Sequence, residues 1–124
     1  MNREFGIWGE NLACELLISK GYAIVSRNAK IGSVEIDILA EHNNRIVIVE
    51  VKTRKTADED PLFGIDKRKI SRLTRAAETY VRSNQLPHEV QIDLIFVTGT
   101  PHGEYQIKHL EDAFLPQWRG FGGR

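Results

Sequence analysis

The segment that decides the fold is Val34–Arg54, VEIDILAEHNNRIVIVEVKTR, in which two apolar runs flank the dipeptide Asn43-Asn44. Isoleucine and valine favour extended strands, and asparagine tolerates the positive φ angles that a two-residue hairpin turn requires. A four-residue loop over positions 42–45 gives the same pairing. The segment therefore predicts two antiparallel strands in which Asp37 lies opposite Glu50.

Four charged side chains interrupt the apolar runs of this hairpin: Glu35, Asp37, Glu50 and Lys52. The predicted pairing brings all four to the end farthest from the turn, with Glu35 opposite Lys52. Two facing carboxylates in a half-buried sheet repel each other and lose hydration, so a compensating cation is expected. Mg²⁺ is a hard ion that prefers such oxygen ligands. Two interpretations follow: a divalent ion lies between Asp37 and Glu50, or the four groups form a solvated face with one weak ion pair.

The rest of the chain alternates between helical and extended patterns. Helices are predicted over residues 5–20 and about 65–84, and short strands over 22–27, 90–97 and 105–108. The connections are a polar break over 28–33, an acidic loop over 56–61 and a helical turn over 110–115. The order α-β-β-β-α-β-β describes an α/β fold, a mixed β-sheet flanked by two helices.

The strand sequences also indicate how the sheet is buried. The runs VIV and LIFV are continuously apolar, so both faces of the central strands are expected to be covered. Alternation along a strand places Ile36 and Ile38 on one face and Glu35 and Asp37 on the other. One domain is predicted over residues 1–116, followed by a flexible glycine-containing tail over 117–124.

Composition gives few limits on function. Lys plus Arg and Asp plus Glu both number 17, so the formal net charge is zero and gives no sign of a nucleic-acid partner. Only local clustering of basic residues can indicate such a partner. No apolar run is long enough to span a membrane, and the N-terminus lacks the pattern of a secretory signal, so a cytoplasmic location is expected.

Asp93 lies inside the apolar strand QIDLIFV, where we expect a buried, hydrogen-bonded carboxylate that supports the fold. The four histidines show no metal-ligand spacing and are predicted to lie in surface loops: His42, His88, His102 and His109.

Basic residues cluster on one side of the second helix, opposite Ile70 and Leu73. Such a stripe is often only a solvated face, although clustered positive charge can also contact nucleic-acid phosphates. No strand is rich in aromatic residues that could stack on bases. The sequence therefore favours recognition of the nucleic-acid backbone and shape over readout of the bases. The candidate nucleic-acid-binding residues are Arg54, Lys55, Lys67, Arg68, Lys69, Arg72 and Arg75.

A set of motifs resembles one known family. The set comprises Gly9–Ala13, Gly21-Tyr22, Arg27-Asn28, Glu35–Ile38, Val49–Arg54, the basic second helix and Ile92–Leu94. Together they resemble the bacterial YraN family, within the restriction-endonuclease-like nucleases of the PD-(D/E)xK type. Asp37 followed by Glu50-Val51-Lys52 corresponds to the signature of that superfamily, and the archaeal Holliday-junction resolvases are also similar.

The resemblance implies roles for several residues. Asp37 and Glu50 would hold Mg²⁺ or Mn²⁺, with Lys52 beside the ion and Glu35 as an alternate ligand. Glu10 corresponds to the first-helix glutamate that completes the resolvase site, although a glutamate there also stabilises a helix N-terminus. The implied activity is hydrolysis of phosphodiester bonds in DNA, including branched or junction DNA.

Two other functions remain open. A nucleic-acid-binding module could keep the fold and charges without cleaving, within a repair, recombination or uptake complex. A purely structural or protein-interaction domain would show no salt-sensitive DNA binding. A homodimer is expected only by analogy, because resolving a junction requires two sites.

Overall fold

The computed structural model describes residues 3–56 and 65–113 of the 124-residue chain. The elements are α1 (Arg3–Ser19), β1 (Ala23–Ile31), β2 (Val34–His42), β3 (Arg45–Arg54), α2 (Lys67–Ser83), β4 (Glu89–Gly99) and β5 (Tyr105–Leu110). The predicted order of helices and strands is therefore confirmed.

The five strands form one mixed sheet in the order β1-β2-β3-β4-β5. Neighbouring strands are antiparallel except β3 and β4, which run parallel because α2 connects them. The hairpin turn forms as predicted, since Asn43 and Asn44 have φ angles of 53° and 61° and His42 lies opposite Arg45. This turn sets the register of the sheet at its centre.

Each face of the sheet is covered by one helix. On β3, Ile46 and Ile48 pack with the cluster beneath α2, whereas Val47 and Val49 pack with the cluster beneath α1. The buried helix residues in these clusters are Ala13, Cys14 and Leu17 from α1 and Ile70, Leu73, Ala76 and Ala77 from α2. Burial of the central strands on both faces is confirmed.

The first hairpin differs from the prediction. β1 continues to Ile31 instead of ending at a polar break, and Asn28 adopts a φ angle of 53° within it. Asn28 lies across from Asp37, since the register passes from Arg27 opposite Ile38 to Ala29 opposite Ile36. Strand β2 changes its packing at this level: Ile36 belongs to the α2 cluster and Ile38 to the α1 cluster.

Several predictions fall wholly or partly on residues outside the described ranges. The acidic loop does so from residue 57 onward and the helical turn from residue 114 onward, and the tail predicted over 117–124 does so entirely. Leu110, where that turn was predicted to begin, instead ends β5. Among the described helices, none is both long and apolar enough to cross a membrane.

Helix α1 approaches β3 closely through Gly9, which is buried. A Cβ atom added at Gly9 would collide with Oγ1 of Thr53, so the absence of a side chain permits this contact. The same contact fixes the position of the next residue, Glu10. Helix packing against the sheet therefore places one carboxylate of the region described below.

Gly9→Ala should lower the free energy of unfolding by about 1–3 kcal/mol, because overpacking outweighs the better helix propensity of alanine. Chemical denaturation of Gly9→Ala, Thr53→Ala and the double variant measures this. The cost of Gly9→Ala should be smaller in the Thr53→Ala background, where the colliding hydroxyl is gone. An equal cost in both backgrounds would contradict the contact.

Candidate functional site

The centre of the candidate site is the point where the β2–β3 ladder ends. The last paired residues are Ile38 and Val49, and two residues further along β3 the amide Val51 N donates a hydrogen bond to Asp37 Oδ2 at 2.9 Å. Glu50 lies beside this bond on β3 and is 6% exposed. The two facing carboxylates predicted from the hairpin are thus brought close together at the edge of the ladder.

The pKa of Asp37 is strongly raised by the surroundings of its side chain. Burial is the largest cause and, with repulsion from Glu50 and Glu10, it raises the pKa of Asp37 to about 7. The hydrogen bond from the Val51 amide and the charge of Lys69 oppose this rise. At neutral pH, a proton therefore partly neutralises the carboxylate pair.

Glu50 is neutralised by a lysine from α2. Lys69 Nζ lies 2.8 Å from Glu50 Oε2, and the Glu50 side chain is 8% exposed. The first turn of α2 is held by Asp66, whose side chain caps the helix by accepting a hydrogen bond from Lys69 N at 2.9 Å. Lys69 was predicted only as a nucleic-acid contact, and the helical pattern gave no sign of this ion pair.

Glu10 approaches the same centre from α1. Its Oε1 lies 3.4 Å from Arg27 Nη2 and accepts a hydrogen bond from Asn28 Nδ2 at 3.3 Å. The negative charge of Glu10 contributes to the raised pKa of Asp37, so both helices place a charged group toward this carboxylate. Across residues 3–56 and 65–113, no three carboxylate, imidazole or thiolate side chains form a ready metal cluster.

Glu35 and Lys52 are not paired as predicted. The β2–β3 ladder ends before reaching them, and Glu35 lies opposite Lys30 on β1. The physical reason is the Asp37 side chain, which takes the Val51 amide and ends the backbone pairing. Lys52 leaves β3 on the same side as Glu50, two residues further along the strand.

A cavity of about 310 Å³ lies next to this centre, between the β1–β2 hairpin and α2. Its lining residues are Ser33, Val34, Glu35, Lys69, Arg72 and Leu73. Lys69 thus borders the cavity while its ammonium contacts Glu50. One wall is acidic, the other is basic, and Val34 and Leu73 add apolar surface.

The basic surface of α2 is largely as predicted. Four of its members are exposed: Lys67, Arg68, Arg72 and Arg75. Lys55 is also exposed after β3, whereas Arg54 is half-buried and its Nε donates a hydrogen bond to Thr98 Oγ1 at 2.7 Å. The exposed members can approach a polyanion without rearrangement of the core.

Asp93 forms a buried polar network, as expected for a structural carboxylate. It accepts hydrogen bonds from Tyr22 Oη at 2.7 Å, Gln91 Nε2 at 2.8 Å and Asp112 N at 3.0 Å. His109 Nε2 also lies 2.8 Å from its Oδ2. Burial alone would raise the pKa of Asp93, but these hydrogen bonds together lower it. The network joins the start of β1 to β4 and β5.

The prediction that all four histidines lie in surface loops is wrong for three of them. The His109 side chain is 2% exposed on β5, and His42 stacks on Tyr22 with ring centroids 3.9 Å apart. His88 is largely buried and contacts Glu41. Only for His109 was there a hint in the sequence, because it directly follows the strand predicted over 105–108, and it lies within the observed β5.

Two solved structures of archaeal nucleases show limited similarity to this chain. A repair endonuclease from Pyrococcus abyssi aligns with a TM-score of 0.49 at 18% identity, and the alignment covers 82% of this chain and 40% of that protein. A Holliday junction resolvase from Archaeoglobus fulgidus aligns with a TM-score of 0.37 at 19% identity, covering 82% of this chain and 74% of that protein. These values are too low to support a functional conclusion.

Sequence relatives give a firm assignment. The profile of the family described as uncharacterised protein family UPF0102 matches residues 9–97. A UPF0102 protein from Phocaeicola vulgatus is 39% identical over 118 residues, covering 93% of this chain and 95% of that protein. A UPF0102 protein from Bacteroides thetaiotaomicron is 41% identical over 116 residues with the same coverage. These matches confirm the family resemblance seen in the motifs, and the chain belongs to the UPF0102 family.

Proposed function

We propose that this protein is a metal-dependent DNA endonuclease that hydrolyses phosphodiester bonds. The observation that carries the proposal is the pair Asp37 and Glu50, two carboxylates held together where burial and repulsion penalise their charges. Groups arranged at such a cost are typical of functional sites. Their nearest compensation is a proton at Asp37 and the ammonium of Lys69 at Glu50.

The donor set fits Mg²⁺ or Mn²⁺. Such ions are often bound by one or two carboxylates, with water and substrate phosphate as the other ligands. Asp37 and Glu50 would hold the ion, and Glu10 and Glu35 are nearby carboxylates that could support it. A bound ion would supply Lewis-acid stabilisation of the negative charge that develops on the phosphate oxygens.

Lys52 would act beside these carboxylates. Its ammonium leaves the same side of β3 as Glu50, so it could stabilise negative charge on a phosphate oxygen in the transition state. The exposed basic residues of α2, with Lys55, would bind phosphates on either side of the scissile bond. The family resemblance favours branched or junction DNA, which a homodimer with two sites would cleave symmetrically.

A second candidate function is nucleic-acid binding without cleavage, within a repair, recombination or uptake complex. The observation that favours it is the Lys69–Glu50 ion pair, because this contact neutralises Glu50 without any metal ion. Metal-dependent nicking of plasmid or branched DNA separates the two functions.

Asp37→Asn should weaken Mn²⁺ binding by at least about tenfold, because one of two carboxylate ligands is lost. Isothermal titration calorimetry measures the change, with Glu78→Gln as the matched control because Glu78 is an exposed glutamate on α2. Wild-type affinity in Asp37→Asn would exclude this carboxylate as a ligand.

The same variant should change how stability depends on pH without metal. With a folded pKa of about 7, Asp37 keeps its proton where the unfolded chain has lost it. Wild-type stability should therefore fall between about pH 4 and 7, by at most about 1.4 kcal/mol per pH unit. Asp37→Asn lacks this loss, so its relative stability in EDTA should rise from pH 5 to pH 8. A difference independent of pH would contradict the perturbed carboxyl.

Lys52→Ala should lower the single-turnover cleavage rate by about a hundredfold or more, as expected for a group that acts in the transition state. Affinities for DNA and Mn²⁺ should stay within a few-fold of wild type. Lys52→Arg should not restore the rate, because a planar guanidinium replaces a compact ammonium. Cleavage at the wild-type rate in Lys52→Ala would leave this residue a structural role only.

Replacing Arg68, Arg72 and Arg75 together with alanine should weaken DNA binding and flatten its salt dependence by up to about three units of slope. Fluorescence anisotropy at several salt concentrations gives the slope. Mn²⁺ affinity serves as the internal control, since none of the three contacts Asp37 or Glu50 in the structure. A wild-type slope would mean that this surface does not contact DNA.

A further inference from the structure

We propose that Lys69 couples binding of the divalent ion to binding of a backbone phosphate. Before the ion binds, Lys69 neutralises Glu50; once the ion takes its place, the lysine turns into the neighbouring cavity and, with Arg72, binds a phosphate of the nucleic acid. This inference rests on the proposed function, because it assigns a phosphate subsite and a regulator to the same site.

The first step follows from the ion pair. Lys69 Nζ occupies the Glu50 oxygen at 2.8 Å, and Glu50 is almost completely buried. An ammonium and a divalent cation that bind the same carboxylate oxygen at short range repel each other strongly. A divalent ion that binds Oε2 of Glu50 would therefore displace Lys69.

The second step concerns where Lys69 can go. Its side chain already lines the 310 Å³ cavity and is 31% exposed, so it can turn without opening the core. The cavity is about ten times the volume of one water in the liquid, which is about 30 Å³, so a phosphate group can enter. Lysine has a flexible stem and a compact charge, which suits such a movement.

The third step is the charge of the cavity. While Lys69 is held by Glu50, the remaining charged groups on the walls are Glu35 and Arg72, which cancel. When Lys69 turns inward, the walls carry a net positive charge, and a phosphate is attracted. Arg72 follows Lys69 by three residues on α2, so both side chains lie on one side of the helix.

The two events must reinforce each other. If the ion releases Lys69 for phosphate binding, then a bound phosphate that holds Lys69 in the cavity also favours the ion at Glu50. DNA binding would thus complete the site, and the ion would bind more weakly without substrate.

Two measurements test the coupling without relying on activity. Calorimetry gives the Mn²⁺ affinity of wild type, Lys69→Met and Lys69→Gln; the glutamine can still donate a hydrogen bond to Glu50 if the methionine variant fails to fold. Lys67→Met is the control, because it removes an equal charge two residues away where the side chain is exposed. Both Lys69 variants should bind Mn²⁺ at least about fivefold more tightly than Lys67→Met, because no ion pair is displaced.

Fluorescence anisotropy gives the affinity for a labelled DNA junction in EDTA and in Ca²⁺. In wild type, Ca²⁺ should raise this affinity, and the ratio of the two affinities should fall at least threefold in the Lys69 variants. Lys67→Met should keep the wild-type ratio even where its overall affinity is lower.

Equal or weaker Mn²⁺ binding by both Lys69 variants, or an unchanged affinity ratio, would overturn the proposal, as would no Mn²⁺ binding by any of the proteins. Cleavage assays in Mn²⁺ report separately on the proposed function. If wild type cleaves DNA but shows no coupling, only the proposed role of Lys69 is rejected. If coupling is seen without cleavage of any DNA form, only the proposed nuclease activity is rejected.

Discussion

The burial of Asp37 next to Glu50 is the constraint on which the candidate site depends. Carboxylates in such surroundings lose hydration and repel each other, and the structure compensates each one differently. Asp37 retains a proton to about neutral pH, and Glu50 contacts the ammonium of Lys69. A divalent ion could take the place of both compensating charges, which is why the pair fits the proposed ion site.

Three structural features bring these groups together. The β2–β3 ladder ends because Asp37 accepts the hydrogen bond of the Val51 amide. Close packing at Gly9 brings α1 against β3, and with it Glu10. The parallel crossover from β3 to β4 places the start of α2 beside Glu50. The charged groups next to Asp37 and Glu50 therefore come from the two helices that cover opposite faces of the sheet.

Local sequence signals predicted the hairpin well, because Asn43-Asn44 fixes the turn and the turn fixes the register. The pairing that places Asp37 near Glu50 followed from that register alone. The sequence could not show that a side chain would end the ladder, and so Glu35 was wrongly paired with Lys52. Asn28 also gave no sign that β1 would continue through a positive φ angle, because such conformations depend on the neighbouring strand.

Contacts between elements that are distant in the sequence could not be predicted from the sequence pattern either. The Lys69–Glu50 pair joins residues on α2 and β3, and the His109–Asp93 contact joins β5 to β4. Neither has a spacing that periodicity can detect, since only tertiary packing brings the partners together. The family motifs indicated Asp37 and Glu50 as site candidates, but not that Lys69 contacts Glu50.

The central claim is that Asp37 and Glu50 form an ion site from which Lys69 is displaced. A crystal structure after soaking in Mn²⁺, with anomalous scattering data, tests it most directly. We expect an anomalous peak between the two carboxylates, about 2.0–2.3 Å from their oxygens, with Lys69 turned toward the cavity. Full soaking with no peak there, and Lys69 still in contact with Glu50, would contradict the claim.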